Sequence, residues 1–137
     1  YGPMPVPVDL VDHGNGRIPT DQLVPIGQGG HKLYAPAAES WKAAVAAAAA
    51  DGIDLRITDS YRSYDQQVDL AERKGLYANG GYAATPGTSN HGWGLAVDAD
   101  VSDPATMGWL RANGYKYGFV EAVPREPWHW EYRPQQA

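Results

Sequence analysis

Residues 89–98 read SNHGWGLAVD, and this stretch carries the features that decide the fold. Its second half alternates in polarity, which predicts a strand over about 95–100 that follows a glycine-rich loop. His91 lies in that loop, and Asp98 follows seven residues later on the strand. Imidazole nitrogens and carboxylate oxygens are both common zinc ligands, and the glycines allow the loop to fold back. The stretch therefore predicts two ligands of one metal site.

A third candidate ligand lies near the C-terminus. Residues 126–132 read EPWHWEY and contain His129. Three protein ligands with one open position are typical of a catalytic zinc rather than a structural one. Taken singly, each residue has a structural alternative: a hydrogen-bonded histidine for His91, a turn cap for Asp98 and a packed strand residue for His129. The metal hypothesis rests on their combination.

Helices and short strands alternate along the chain. Pro36 suits a first helical position and Gly52 suits a helix stop, which predicts a helix over about 36–51. Residues 63–66 read SYDQ, a capping box that places a second helix over about 64–74. The other predicted elements are a strand over 53–59, a long loop over 78–94, a helix from Asp103-Pro104 to Asn113-Gly114, and strands over 117–120 and 128–132. This order predicts an α+β fold, with a small, mainly antiparallel sheet flanked by about three helices.

The first 30 residues differ from the rest in composition. Prolines alternate through residues 1–8, which favours an extended, polyproline-like segment, and glycine and proline stay frequent to about residue 34. We expect residues 1–30 to form an arm packed on a single domain over 31–137. His13 and His31 have no carboxylate at a comparable spacing, and we interpret both as loop residues.

Composition excludes several classes of protein. The chain has 137 residues and no cysteine, so disulfides, thiolate metal sites and a cysteine nucleophile are ruled out. A formal charge of −5 argues against nucleic acid as a partner. No stretch approaches the ~20 consecutive apolar residues of a membrane span. The sequence shows no signal peptide and begins at Tyr1, which leaves export open, and nothing in it argues against a monomer.

Three motifs together resemble the VanY-like family of zinc D-alanyl-D-alanine carboxypeptidases. The first is S-x-H-x-x-G-x-A-x-D over 89–98, and the second is E-x-W-H over 126–129. The third is Y-R-S over 61–63 with Gln67 five residues after the arginine. The resemblance covers about residues 31–133 and implies a hedgehog/DD-peptidase fold, with 31–137 as the zinc peptidase domain.

The resemblance assigns a role to each matched residue. It implies one Zn²⁺ ion held by His91, Asp98 and His129, with Glu126 as the catalytic base. It further implies that Arg62 steadies the substrate and the developing oxyanion. The residues expected to bind substrate are Ser89, Gln67, Tyr61 and Trp128, and Trp93 and Tyr132 are weaker candidates for lining the cleft.

The implied substrate is a peptidoglycan stem peptide, cut by a D,D-carboxypeptidase in the cell wall, the periplasm or outside the cell. An L,D-carboxypeptidase, or a stem-peptide endopeptidase of the kind found in phage lysis enzymes, is an alternative within the family. A non-catalytic zinc-containing binding module of the hedgehog type is the alternative from another class. Retention of Glu126 and Arg62 favours an enzyme.

The roles assigned to Glu126 and Arg62 each have an alternative interpretation. Strict strand alternation would put Glu126 and His129 on opposite faces, and Pro127 indicates a bend that removes this objection. We expect Glu131 to lie less readily on the face of His129 and to be structural. For Arg62, the alternative is a surface salt bridge with an aspartate, either Asp59 or Asp65.

Overall fold

The computed structural model describes residues 4–137, which form four helices and two antiparallel sheets. The helices are α1 (Val8–Val11), α2 (Ala35–Ala50), α3 (Tyr64–Lys74) and α4 (Pro104–Asn113). The strands are β1 (Leu23–Pro25), β2 (Lys32–Tyr34), β3 (Ile57–Asp59), β4 (Ala96–Ala99), β5 (Phe119–Glu121) and β6 (His129–Tyr132). The predicted α+β class is confirmed. In this part of the chain no helix combines the length and apolar character needed to cross a membrane.

The larger sheet has four strands in the order β3-β4-β6-β5, with every neighbouring pair antiparallel. Its register places Asp98 on β4 opposite His129 on β6 and opposite Asp59 on β3. Side chains directly opposite on antiparallel strands have Cβ atoms about 4.5–5.5 Å apart. The register therefore gathers three polar side chains from distant parts of the chain into one row.

Helix α2 packs against the sheet through small side chains and one tryptophan. Trp41 is fully buried, and its ring meets Phe119 edge-on with centroids 5.1 Å apart. Ala44 and Ala48 are buried on the same face, and Val45 beside them is half-buried. Alanines on the buried face allow the helix to approach the sheet closely, which leaves space for the one large aromatic ring.

Helix α3 begins and ends where the capping box and glycine predict. Ser63 Oγ accepts the backbone N–H of Gln66 at 3.1 Å, and Gln66 Oε1 accepts the backbone N–H of Ser63 at 2.9 Å. These reciprocal bonds satisfy two amide groups that a helix start otherwise leaves unpaired. At the other end Gly75 adopts φ 74°, a backbone conformation that glycine reaches without steric cost.

Two predicted strands are shorter than expected. The strand predicted over 53–59 is regular only from Ile57. Before that residue, the backbone forms hydrogen bonds with the side chain of Gln28 instead of with a neighbouring strand. The Gln28 amide donates to Leu55 O at 2.9 Å, and its oxygen accepts Ile57 N–H at 2.9 Å. In the strand predicted over 117–120, residues 114–117 form a 3₁₀ turn, and the left-handed backbone of Gly118 (φ 80°) separates that turn from β5.

The segment before β1 braces the loop that carries His91. Asn15 Nδ2 donates to Ser89 O at 2.6 Å, and the backbone N–H of Gly16 donates to Gly92 O at 2.9 Å. A Cβ on Gly92 would clash with the Asn15 side chain and lie 2.9 Å from the backbone nitrogen of Gly16, so glycine is required for this approach. The polyproline prediction lies partly outside the described residues, since residues 1–3 are not among them, and the division at residue 30 stays a prediction.

Candidate metal centre and active site

His91 reaches Asp98 and His129 from a 3₁₀ turn, Asn90–Trp93, that directly precedes β4. Gly94 ends this turn with φ 69°, and a Cβ at that position would lie 2.8 Å from Tyr34 N. The turn is therefore tight enough to return the chain into the sheet within two residues. The glycine-rich loop folds back as its composition predicts.

Three donor atoms converge at this point. Single ligand atoms of His91, Asp98 and His129 all lie within 4.8 Å of one another. Asp98 Oδ1 lies 3.1 Å from His91 Nε2 and 3.5 Å from His129 Nδ1. Zinc–ligand bonds of ~2.0–2.1 Å at tetrahedral angles place neighbouring ligand atoms about 3.3 Å apart. The donor set and its spacing fit a zinc ion with three protein ligands.

Hydrogen bonds on the far side of each imidazole fix which nitrogen faces the metal position. His91 Nδ1 lies 2.7 Å from the carbonyl oxygen of Ser60, so Nδ1 carries the proton and Nε2 offers its lone pair. His129 Nε2 lies 2.8 Å from Glu131 Oε2, so the lone pair of His129 is on Nδ1. Such outer partners orient metal-binding imidazoles and raise their basicity.

Glu131 lies on the same face as His129, and the expectation that it would do so less readily is wrong. Residues i and i+2 of a strand share a face, and His129 and Glu131 are two apart on β6. The Glu131 carboxylate is buried and also accepts hydrogen bonds from Asn90 Nδ2 at 2.9 Å and from Arg133 Nε at 2.8 Å. These contacts make Glu131 the residue that orients His129.

The electrostatics of the centre favour bound positive charge. Burial alone would raise the pKa of Asp98, but the charges and hydrogen bonds of His91 and His129 outweigh it and hold that pKa far below its ordinary value. Burial likewise opposes the shift at Glu131, yet the hydrogen bonds from His129 and Asn90 lower its pKa to about 2. Burial lowers the pKa of His129, and its bonds to Asp98 and Glu131 reverse the effect and raise it to about 9 in the metal-free protein, where a proton on Nδ1 takes the position that a zinc ion would occupy. Two buried carboxylates therefore surround a place where a cation is stabilised.

Arg62 is buried beside the metal ligands. Its Nη2 lies 2.6 Å from Asp59 Oδ2 and 3.5 Å from Asp98 Oδ2, and its Nη1 donates to Gln67 Oε1 at 2.7 Å. The salt bridge to Asp59 that the alternative interpretation predicted is present. It is not a surface contact, because Arg62 is only 8% exposed and lines the cavity over the three ligands. Asp65 is not its partner. The guanidinium is thus held rigidly within reach of the metal position.

A cavity of about 740 Å³ opens over the three ligands. This volume lies within the ~300–1,000 Å³ range of ligand sites and admits a short peptide. Glu126 lines the cavity and is half-buried, and burial raises the pKa of its carboxyl, an effect that Asp98 adds to and His129 opposes. The bend expected at Pro127 occurs: Glu126 lies in the loop before β6, and its carbonyl accepts the N–H of His129 at 3.0 Å. Strand alternation therefore does not separate Glu126 from the three candidate ligands.

The predicted substrate-binding residues divide into two groups. Ser89 and Trp128 line the cavity, and Ser89 Oγ also accepts the N–H of His91 at 3.2 Å. Gln67 and Tyr61 are not among the lining residues. Gln67 is buried between Arg62 and the carbonyl of Ala84, which it reaches at 2.7 Å, so it orients the arginine.

Tyr61 packs in a second small apolar cluster. Its hydroxyl accepts the backbone N–H of Ile18 at 3.1 Å, and its ring contacts the cluster of Leu10, Ile18 and Leu23. Of the weaker aromatic candidates, Trp93 packs against the same cluster and Tyr132 packs on Phe119 at 5.4 Å. The sequence could not separate these aromatic residues from Trp128, because all of them combine a large apolar ring with a polar group.

Several residues of the site were missed in the sequence. Asp59 lines the cavity beside Arg62, and Asn90 and Arg133 hold Glu131. Alternation through residues 129, 131 and 133 was the available signal for Arg133. His31 donates to or accepts from Ser60 Oγ through Nδ1 at 3.0 Å, and His13 is exposed, so neither histidine belongs to the ligand group.

Comparison with known proteins agrees with this geometry. Residues 30–135 match the family described as VanY, D-alanyl-D-alanine carboxypeptidase. A D-alanyl-D-alanine carboxypeptidase of Enterococcus faecalis is 32% identical, over 63% of this chain and 42% of that protein. The crystal structure of a vancomycin resistance D,D-pentapeptidase VanY in complex with Zn(II) is 27% identical, with a TM-score of 0.70, over 84% of this chain and 82% of that one.

A second solved relative carries a different bond specificity in its name. The LD-carboxypeptidase LdcB is 28% identical, with a TM-score of 0.70, over 85% of this chain and 70% of that one. The chain spans less than half the length of the enterococcal relative it matches. The family match covers most of the chain and includes every residue of the metal centre and cavity. This chain belongs to the VanY family of D-alanyl-D-alanine carboxypeptidases.

Proposed function

We propose that this protein is a zinc-dependent carboxypeptidase that removes the terminal D-alanine from peptidoglycan stem peptides ending in D-Ala-D-Ala. The single observation that carries the proposal is the convergence of three zinc-type ligand atoms, within 4.8 Å of one another, on the floor of a peptide-sized cavity that Glu126 also lines. A structural zinc would need a fourth protein ligand and no cavity. Family membership and the names of the relatives support the choice of substrate.

Zinc held by His91, Asp98 and His129 would polarise the scissile carbonyl and lower the pKa of a water molecule toward ~7. One ion is sufficient, because the three ligands form one group. The remaining chemistry belongs to side chains of the chain itself.

Glu126 is the group placed to move protons. Its half-buried carboxyl has a raised pKa, which makes the carboxylate a stronger base than an exposed glutamate. It would accept a proton from the attacking water and then deliver that proton to the nitrogen of the departing D-alanine. Proton transfer by a positioned side chain contributes about 10²–10⁴-fold to rate.

Arg62 is the group placed to stabilise negative charge. Its guanidinium is buried, always protonated and fixed by Asp59 and Gln67, so it needs no reorganisation when charge develops on the carbonyl oxygen. Ser89 and Trp128 would contact the terminal residue of the peptide from the cavity wall.

The direct test is mass spectrometry of purified stem peptides after digestion. Release of one D-alanine from a pentapeptide, lost in Glu126→Ala and retained in an Arg111→Ala control, is the expected result. Arg111 pairs with Glu121 on the surface, away from the cavity. The similarity to LdcB makes an L,D-carboxypeptidase the second candidate, and release of D-alanine from a tetrapeptide but not from a pentapeptide would select it.

Two further outcomes would contradict the proposal. Internal fragments without free D-alanine would identify a stem-peptide endopeptidase. Stoichiometric zinc with no turnover of any stem peptide would favour a binding module of the hedgehog type.

The proposed substrate is a cell-wall polymer, so the proposal also places the site of action outside the cytoplasmic membrane. We further propose that the protein acts as a monomer.

A further inference from the structure

Arg125 has an unusual backbone. Its φ is 70°, and it is the one non-glycine residue within 4–137 that adopts a positive φ. A side chain in the left-handed region is strained by contact between Cβ and the carbonyl oxygen, and ten glycines elsewhere in the described chain take up this conformation instead. An arginine remains in such a conformation only where its surroundings hold it there.

The side chain of Arg125 supplies the compensation. Its Nη1 donates to Gly80 O at 2.9 Å, and its Nη2 donates to the carbonyls of Tyr77 and Gly81 at 3.2 Å each. The guanidinium also lies over the Tyr77 ring at 4.0 Å from its centroid. One arginine therefore caps three carbonyls of the turn at 77–81.

Side chains of the turn at 77–82 also contact the loop that carries Arg125. Tyr77 Oη donates to the carbonyl of Pro124 at 2.8 Å, and the rings of Tyr82 and Trp128 meet edge-on with centroids 5.4 Å apart. Arg125 itself also approaches Tyr82, at 5.7 Å from the ring centroid. Residues 77–82 and 124–128, far apart in sequence, are thus joined by hydrogen bonds and ring contacts, most of which Arg125 makes.

Both joined loops form one side of the cavity. Tyr77 and Tyr82 line it from the first loop, and Pro124, Glu126 and Trp128 line it from the second. Arg125 is exposed and is not among the lining residues, so it acts on the cavity only through its neighbours.

We propose that Arg125 is a positioning residue that locks these two loops together, and thereby holds Glu126 over the metal centre and Tyr77 and Tyr82 against the substrate. The catalytic part of this inference rests on the proposed function. Misplacing a catalytic group by about 1 Å can cost on the order of 10²-fold in rate. Besides the contacts of Arg125, the two loops share the hydrogen bond from Tyr77 to Pro124 and the ring contact of Tyr82 with Trp128.

The test combines kinetics with hydrogen exchange. In Arg125→Ala we expect kcat/KM to fall by about 10–100-fold, with zinc content unchanged, and amide exchange to accelerate over 75–84 but not in β4. Arg111→Ala, which removes another exposed arginine that bonds to Glu121, is the matched control and should change neither quantity.

Arg125→Gly separates the backbone from the side chain. Glycine relieves the strain at φ 70°, so this variant should be more stable than Arg125→Ala and yet equally impaired in kcat/KM. Arg125→Lys keeps the charge but lacks the planar fork, and should recover activity only in part.

Wild-type kcat/KM and wild-type exchange over 75–84 in Arg125→Ala would overturn the proposal. A lowered melting temperature with unchanged kcat/KM would also overturn it, since it would reduce the residue to a structural role. If the wild-type protein cleaves no stem peptide, the proposed function fails, and the exchange comparison still decides whether Arg125 locks the loops.

Discussion

The cavity has two sides that are built differently. The strand wall consists of His91, Asp98, His129 and Glu131, carried by β4, β6 and the turn before β4. The loop wall consists of residues 77–82 and 124–128. His91 and His129 are 2% and 7% exposed, whereas Tyr82 on the loop wall is 47% exposed. The strand wall is fixed by sheet register and the loop wall by contacts of a few side chains.

This difference matches two physical demands. Metal ligands must be held to within a few tenths of an ångström, which paired strands and buried hydrogen bonds achieve. A peptide-binding surface must admit and release substrate, which loops achieve more readily because their attachments are fewer. We therefore expect changes in the strand wall to affect zinc first, and changes in the loop wall to affect turnover with zinc retained.

The largest effect should follow from removing a ligand on the strand wall. His129→Ala leaves two protein ligands, so zinc content should fall from one equivalent to near zero and kcat/KM by about 10³-fold or more. Elemental analysis and steady-state kinetics measure the two quantities. His13→Ala removes an exposed histidine and should change neither. Full zinc content in His129→Ala would show that the ligand assignment is wrong.

The next largest effect should come from the loop wall. Glu126→Gln keeps the size of the side chain but cannot accept a proton, so kcat should fall by about 10²–10⁴-fold while zinc content stays at one equivalent. Loss of kcat with zinc retained would distinguish this variant of the loop wall from His129→Ala on the strand wall. Loss of zinc in this variant would mean that Glu126 contributes to the metal site and that the two walls are not separate.

A smaller effect should follow from the residue behind the metal ligand. Glu131→Gln weakens the hydrogen bond that orients His129, and zinc affinity should fall by about 10–100-fold, measured by competition with a chelator. At saturating zinc, kcat should return close to the wild-type value. Glu121→Gln alters an exposed carboxylate on β5 and should leave zinc affinity unchanged. An equal loss in both variants would remove the special role of Glu131.

The smallest expected effect is a displaced pH profile. Burial raises the pKa of Glu126 above its ordinary value of 4.5, and the base must be deprotonated to act. Activity should therefore fall as the pH drops through a value above 4.5, so that kcat/KM at pH 4.5 is below half of its plateau. Zinc content measured at the same pH separates this limb from metal loss. A midpoint at or below 4.5 would contradict the assigned environment.

Prediction from sequence succeeded where the signal was local. The helix predicted over about 64–74 is confirmed as Tyr64–Lys74, because a capping box and a glycine act within a single turn at each end. The grouping of His91, Asp98 and His129 was predicted from ligand-type residues in two short motifs and from the family resemblance, and the structure brings the three side chains together. The late start of the strand predicted over 53–59 was missed, because Gln28 contacts this segment from 27 residues away.

The sequence by itself determined the fold class, the candidate metal ligands and the helix ends, since each depends on residue types that can be recognised in short motifs. Only the tertiary structure decided that Gln67 and Tyr61 lie outside the cavity. It also decided that Asn15 and Gly16 hold the loop that carries His91. The bonds by which Arg125 joins the two loops are likewise visible only there. Those features depend on contacts between residues tens of positions apart. Hydrogen bonds and close packing of that kind are set by the register of the sheet and the paths of its loops, and no local pattern encodes them.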